Sequence, residues 1–296
     1  MKKAAFVVNP TSGVGNKSSL QRCIERFFCP QNGWERELYH TTGRDDAFRA
    51  ALRYKEESVD LVVAVGGDGT VNQVARALMH SSLVMGIIPA GSGNGLARHL
   101  NIPLSIDKAV ELLFGYHITS IDSGTLNEVP FFCTAGIGFD ASLAHRFNRA
   151  PVRGLPAYAA LSVVEYLHYR PEKYKIYIGE QAFEREAFLI TFANCSQWGG
   201  NICIAPSASA TDGLLNMVVW KKTPKVRIPF ISTRLLTHTI DKSNFIENVC
   251  GIHFHIERAQ QGWVHVDGEH IYMGKELTVE VHPASLRIVT PCKGVI

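Results

Sequence analysis

The sequence predicts a two-part protein: a mostly parallel α/β domain of the nucleotide-binding type, followed by an antiparallel β-rich domain. Three observations predict it. Up to Ile118, short β-branched runs alternate with stretches of helical periodicity, as βαβ units require. Beyond Ile118 strand-like segments follow one another with only two helical interruptions. Length agrees, since 296 residues at roughly 150 per domain make about two.

In the first part Ala4–Val8 is a strand, followed by a Ser/Gly turn and a helix around Ser19–Phe28. Glu35–Tyr39 is the second strand, with a helix through Asp46–Glu56 behind it. Leu61–Val65 leads into a helix from Thr70 to Met79, and Val84–Ile88 into one near Asn94–Leu100. A helix over Asp107–Phe114 closes the unit. The second part reads as strands at Ile118–Leu126, Phe131–Ala135, Tyr174–Ile178, Ala187–Asn194, Leu215–Trp220, Asn248–Ile256, Trp263–Val266 and Leu277–Val281. Helices are expected at Ala157–His168 and roughly Lys225–Thr239, the second with Thr223 as N-cap and Pro224 in the first turn. The boundary falls near residue 122, giving domains of 1–122 and 123–283.

A chain that is 46% hydrophobic and 19% charged is a folded soluble protein, which excludes disorder. With 30 Lys and Arg against 27 Asp and Glu, the net charge of +3 lacks the basic stripe of a nucleic-acid binder. No apolar run approaches the ~20 residues of a membrane span. The run Ala4–Val8 is too short for the ~7–15-residue core of a signal peptide, so a cytoplasmic protein is expected. Seven cysteines without a Cys-x-x-Cys pair read as reduced core thiols. His253 and His255, with His265 and His270 nearby, lack a Cys or carboxylate at ligand spacing and read as solvated strand-face residues.

The chemistry concentrates in three glycine-rich turns. Gly66-Gly67-Asp68-Gly69-Thr70 follows a buried strand and opens a helix, whose unpaired amides and positive dipole end favour phosphate. Asp68 could orient a metal ion or accept a proton there, although a plain turn capped by Asp68 or Thr70 explains the pattern too. Gly91-Ser92-Gly93-Asn94-Gly95 repeats the arrangement one strand on, and Asn9 to Lys17 ends the first strand. Parallel strands put all three turns on one sheet edge, where open α/β sheets bind ligands. Two other patterns mislead. Gly13 to Ser18 has Asn16 where a P-loop needs its second glycine, and Gly136 to Ala141 fits a dinucleotide fingerprint but lies in the β-rich half without a βαβ unit.

Five motifs in order resemble the diacylglycerol kinase catalytic family, which includes bacterial lipid kinases and sphingosine kinases: Asn9-Pro10-Thr11-Ser12-Gly13, Gly66 through Val74, Gly91-Ser92-Gly93-Asn94, Gly138-Phe139-Asp140-Ala141 and Asp267-Gly268-Glu269. The resemblance implies a phosphofructokinase- or NAD-kinase-like parallel-sheet domain, with residues 284–296 returning to it, and a C-terminal antiparallel β-sandwich-like domain. It implies an ATP-dependent kinase that phosphorylates a lipid hydroxyl using Mg2+, with ATP at the cleft between the domains. Asn9, Thr41, Gly67, Asp68, Gly69, Thr70, Ser92 and Asn94 would contact the nucleotide or its metal. Asp68 and Glu269 would be the catalytic carboxylates, either one serving as base, and Asp212 and Leu214 match the family's structural-metal turn.

Departures limit the carry-over. Gln73 replaces a glutamate, Gly95 an aspartate, and Asn216 an aspartate of the structural-metal turn. Ser142 stands where sphingosine kinases carry an acid suited to a substrate amine, so a neutral acylglycerol and a long-chain base both stay open. Asp267-Gly268 is independently a hairpin-turn signal, and Asp140 is expected to pair with Lys17 or Arg153. The expected partner is a lipid at a membrane surface, reached by peripheral association around Trp198 and Lys221–Arg227; a homodimer is one expected assembly. Rival expectations are an NAD-kinase-like phosphotransferase and a catalytically silent nucleotide- or lipid-binding regulator.

Overall fold

Apolar β-branched runs make the parallel strands of the N-terminal part: β1 (Lys2–Val8), β2 (Trp34–His40), β3 (Leu61–Gly66) and β4 (Val84–Pro89). They pair in the order β4-β3-β1-β2, all parallel. The computed structural model describes residues 1–13, 17–115, 117–149, 161–162, 164–166 and 168–292. It divides into two units, Met1–Ile121 with Ala284–Ile296, and Asp122–Pro283.

In the first unit, α1 (Lys17–Phe27), α2 (Asp46–Glu56), α3 (Asp68–Leu78), α4 (Gly95–His99) and α5 (Ile106–Gly115) connect the strands. Phe6, Val8, Val63, Val65 and Ile88 pack under Leu20 and Ile24 of α1 and Val110 and Leu113 of α5. By strand alternation the opposite face belongs to α2 and α3, which also pack on each other. From β1 the chain steps outward to β2, then returns past β1 to β3. The direction reverses between β1 and β3, the switch point at which doubly wound sheets leave a crevice at their carboxyl edge.

The second unit is antiparallel. It comprises β5 (Ile118–Leu126), shared with the first unit, then β6 (Val129–Phe131), β7 (Thr134–Gly138), α6 (Phe139–Arg149), β8 (Glu172–Ile178), β9 (Gln181–Ala193), β10 (Gln197–Gly199), β11 (Ile202–Cys203) and β12 (Leu215–Lys221). A 3-10 turn at Lys225–Arg227 leads into α7 (Ile228–Leu236), followed by β13 (Ile246–Gly251), β14 (His253–Arg258), β15 (Gly262–Val266), β16 (Glu269–Met273) and β17 (Glu276–Val289). The order is β16-β15-β7-β9-β8-β14-β17, and β12 joins β9 to β13. β12 is buried on both faces: Leu215, Met217 and Val219 enter one core with Phe192 and Phe254, while Val218 and Trp220 enter another with Phe188, Ile231 and Leu235. The second of these cores is what α7 covers.

Several elements differ from the sequence expectation. Asn248–Ile256 is not one strand; β13 pairs with β12, and β14 pairs with β8 and β17. Gly251 permits the corner, because a Cβ there would lie 2.9 Å from the Phe254 ring. Leu277–Val281 is only the start of β17, whose end pairs parallel to β4 through Arg287 and Ile288 in the first unit. Thr223 caps no helix: its hydroxyl accepts from the Trp220 indole at 3.1 Å and donates to the Lys221 carbonyl at 2.8 Å. The helix begins later, with Pro229 in its first turn. Of Ala157–His168, residues 157–160, 163 and 167 lie outside the described residues, as does Arg153; the rest of that stretch is helical. All seven cysteines are free thiols; Cys133, Cys195 and Cys203 are buried, but Cys250 and Cys292 are exposed. Among the described residues no helix is long and apolar enough to cross a membrane.

Candidate active site

The loops of the first unit lie in register along one edge because each extends its strand's ladder by one bond. Asn9 N donates to Val65 O (2.9 Å), Thr41 N to Val8 O (2.9 Å) and Ala90 N to Gly66 O (2.8 Å). Asn9, Thr41, Gly67–Thr70 and Ser92–Asn94 therefore share the carboxyl edge, with the loops after β1 and β3 flanking the switch point. Asn9 Nδ2 bridges those two loops to Thr70 Oγ1 at 3.1 Å, while its Oδ1 accepts from Thr11 N and Oγ1. Thr41 is carried by a turn that Asp46 fixes, accepting from Thr42 N at 2.7 Å and Tyr39 Oη at 3.1 Å. The Thr42 amide, against the effect of burial, holds the Asp46 carboxyl below its usual value.

Asp68 is not the cap of its own helix. Gly67 occupies the N-cap of α3, and Asp68 instead accepts from the backbone of the next loop: Asn94 N on Oδ2 at 2.9 Å and Gly95 N on Oδ1 at 2.7 Å. The two glycine loops touch so closely that a Cβ on Gly91 would meet Gly67 Cα at 2.6 Å, and one on Gly93 would meet Asp68 Oδ2 at 2.6 Å. Asn94, in left-handed conformation with φ 51°, closes its loop by accepting from Gly91 N at 2.9 Å and donating to Gly91 O at 2.7 Å. Its amide thus serves the loop, whereas Ser92 is exposed.

These residues fit a phosphate chain with a divalent ion. The first-turn amides of α3 have no acceptor within the helix, and the Asp68 carboxylate stands at the start of that same helix. Mg2+ typically takes one or two carboxylates, completing its shell with water and substrate phosphate.

In the second unit Asp267 and Gly268 form a two-residue hairpin turn, φ 47° and 84°, between β15 and β16. The Asp267 carboxylate locks that turn to the chain entering β7, accepting from Phe132 N (2.9 Å), Cys133 N (2.9 Å) and Thr134 N (3.0 Å). Glu269 opens β16 from this fixed turn with its side chain exposed. Of the partners expected for Asp140, Arg153 and the Lys17 side chain lie outside the described residues. Asp140 is buried, and Oδ2 takes His265 Nε2 at 2.9 Å and the Thr191 hydroxyl at 2.8 Å, while Oδ1 accepts from Ala141 N. His265, expected as a solvated strand residue, is 4% exposed. The Gly136–Ala141 pattern does lead from a strand into a helix, which sequence reading missed, but β7 pairs antiparallel with β9 and β15, so no βαβ unit surrounds it.

Asp212 Oδ1 accepts from Leu214 N at 3.0 Å, and Gly213 N donates to Asp122 at 2.7 Å. Asn216 spends its amide on Ser207, Asn248 and Cys250. Among the described residues no three His, Cys, Asp or Glu side chains gather as a metal site. Asp68 belongs to the first unit, and Glu269, Asp212 and Leu214 to the second.

A doubly wound sheet with converging glycine loops, joined to an antiparallel sandwich-like unit, is an architecture whose carboxyl edge suits a phosphate-bearing ligand. The profile of the diacylglycerol kinase catalytic domain matches residues 3–126, and that of the YegS C-terminal NAD kinase beta sandwich-like domain matches residues 133–290. The chain belongs to the diacylglycerol kinase family. It is 30% identical over 242 residues to a diacylglycerol kinase of Bacillus subtilis, covering 80% of this chain and 79% of that one. It is 26% identical to a diacylglycerol kinase of Staphylococcus saprophyticus, over 78% and 77% of the two chains. A crystal structure of a diacylglycerol kinase from Bacillus anthracis shares the fold, with a TM-score of 0.79 at 22% identity over 99% and 98% of the chains.

Proposed function

We propose that this kinase transfers the γ-phosphoryl group of ATP, with Mg2+, to the hydroxyl of a diacylglycerol-like lipid. The observation that carries the reading is Asp68, held by two backbone amides at the switch-point edge beside the open N-terminus of α3. Asn9, Thr41, Gly67, Gly69, Thr70, Ser92 and Asn94 shape that edge for the nucleotide. When bound, the metal neutralises charge on the phosphates, and Asp68 is the carboxylate that would hold it. Glu269, exposed beside a locked turn, is the candidate to take the proton of the lipid hydroxyl. Phosphoryl transfer is chiefly positioning and charge stabilisation, so rigid support of both carboxylates matters more than their basicity. Asp212 and the Leu214 turn are the place for a second, structural cation.

A neutral glycerolipid suits the second unit better than a sphingoid base. The Ser142 hydroxyl donates to buried Glu165, and Arg146 is ion-paired with that same carboxylate. The acid nearest Ser142 is thereby neutralised and does not offer a charge to an amine. Transfer of label from γ-labelled ATP with Mg2+ to mixed micelles of diacylglycerol, monoacylglycerol, sphingosine or ceramide tests the proposal, with NAD as the soluble control. Diacylglycerol labelling lost in Asp68→Ala and Glu269→Gln is the expected result. Label in sphingosine would overturn the lipid choice, label in NAD the lipid reading itself, and label in none would favour a silent regulator.

A further inference from the structure

Three apolar side chains are exposed on the side of α7 and its preceding 3-10 turn that faces away from their core, with Thr233 exposed among them. Ile231 and Leu235 point inward, one turn apart, and are buried with Phe188 and Trp220. On the opposite side Val226 is 76% exposed, Phe230 72% and Leu236 58%. Single exposed apolar residues are ordinary on a protein surface, but a cluster marks a site of contact. Helical spacing places Val226 and Phe230 one turn apart, with Leu236 on the flank of the same face.

Along the segment itself the charges have one sign, with Asp241 the first acid after it. Lys225, Arg227 and Arg234 border the apolar ridge, and the chain from Lys222 to Ile240 contains no Asp or Glu. Lys225 lies over the Tyr166 ring at 6.0 Å and Arg227 over Phe245 at 5.6 Å, so aromatic rings hold both cations at the shoulders of the ridge. Arg234 donates to the Thr239 carbonyl at 3.2 Å, which leaves its charge uncompensated by that bond. The segment overlaps the docking surface expected from sequence at Lys225–Arg227 and leaves out the rest of it. Lys221 and Lys222 are ion-paired to Glu247 and Glu186 at 3.3 and 2.8 Å, and Trp198 is half-buried against the second core.

We infer that residues 225–236 form a docking element for an anionic lipid surface, with Val226, Phe230 and Leu236 entering the acyl boundary while Lys225, Arg227 and Arg234 meet lipid phosphates. An interfacial helix binds by this combination of inserted apolar area and attraction to anionic headgroups. The charge complementarity selects the occupant: three cations around an apolar ridge match an anionic bilayer. The inference rests on the lipid-kinase reading for the kind of surface involved, but its test needs no turnover.

Sedimentation of the full chain with phosphatidylcholine vesicles, with and without phosphatidylglycerol and without nucleotide, reads the docking directly. Wild type is expected to partition to the anionic vesicles. R227Q with R234Q weakens this by roughly fivefold per charge, and V226S with F230S and L236S by about tenfold or more. F230L retains binding, and unchanged far-UV dichroism and unfolding midpoints show that all variants are folded. Wild-type protein that ignores anionic vesicles, or a triple-serine variant that sediments as well as wild type, overturns the inference. If that variant instead loses self-association in light scattering while sedimenting unchanged, the face belongs to a second copy and the inference is wrong. Micellar lipid labelling separates the two readings: docking lost in the variants of a protein that labels no lipid sinks the kinase proposal alone, whereas labelling with unaltered docking sinks this one alone.

Discussion

Two Asp-Gly pairs, one in each unit, solve opposite problems with the same chemistry. In the first unit Asp68 accepts one amide on each oxygen from the neighbouring loop. In the second, Asp267 accepts three consecutive amides, and the carboxylate offered to solvent is Glu269 two residues later. The first aspartate combines support and chemistry in one side chain. The second divides them, leaving Asp267 as the positioning residue and Glu269 as the candidate base. Asp68 ties two neighbouring loops together whereas Asp267 anchors a hairpin turn, and substitutions should separate the two cases.

The largest effect is expected at Asp68. Asp68→Ala should lower kcat/KM for lipid phosphorylation by at least ~10³-fold, because it removes both the metal-holding charge and the acceptor that joins the two glycine loops. Glu269→Gln should cost about 10²–10³-fold in kcat, the usual range for a proton acceptor, with the unfolding midpoint unchanged. An Asp68→Ala variant as active as wild type, or a Glu269→Gln variant that unfolds early, would break the comparison. Asp267 should show the reverse profile. Its loss in Asp267→Ala strips three backbone amides of a charged acceptor and should destabilise the chain by about 3 kcal/mol in urea unfolding. Asn94→Ala should cost about 1–2 kcal/mol, and Asn94→Gly less, since glycine keeps the left-handed backbone and loses only the clamp on Gly91.

The difference between the units also explains what the sequence made legible. The first unit is local: each strand, turn and helix is contiguous, so the order of elements and the common edge of Asn9, Gly67, Asp68 and Ser92 follow from periodicity and glycine placement. The hairpin at Asp267-Gly268 was legible for the same reason. Its carboxylate's partners were not, because they lie 133–135 residues earlier in the chain. The Asp140–His265 pair spans 125 residues and joins the first turn of α6 to β15, which only the antiparallel order brings together. His265 offered no such signal, because strand alternation puts it in line with Trp263 and Asp267, both half-buried, and opposite to the buried Val264 and Val266. The break at Ile252 and the full length of β17 escaped because continuous apolar alternation does not reveal where a strand changes its partners.

The smallest effect sharpens the comparison through acid stability. His99, in α4 just beyond the Asn94 loop, has its pKa lowered from 6.5 because burial disfavours the imidazolium. A base with a depressed folded-state pKa is neutral in the native chain while the unfolded chain already binds its proton. Stability from this group is therefore full above pH 6.5 and declines as pH falls from there toward the folded value, below which the loss is complete and constant. The decline should localise to the first unit. Hydrogen exchange compared at pH 7.5 and pH 5.5, after correction for the intrinsic rate, should show α4 and the Asn94–Gly95 amides losing protection, while the amides bound by Asp267 keep theirs. His99→Gln, which cannot take up a proton, should abolish the difference between the two pH values. If the glutamine variant loses protection in α4 as wild type does, the acid sensitivity of the glycine loops originates elsewhere, and Asp68's support depends on a group other than this histidine.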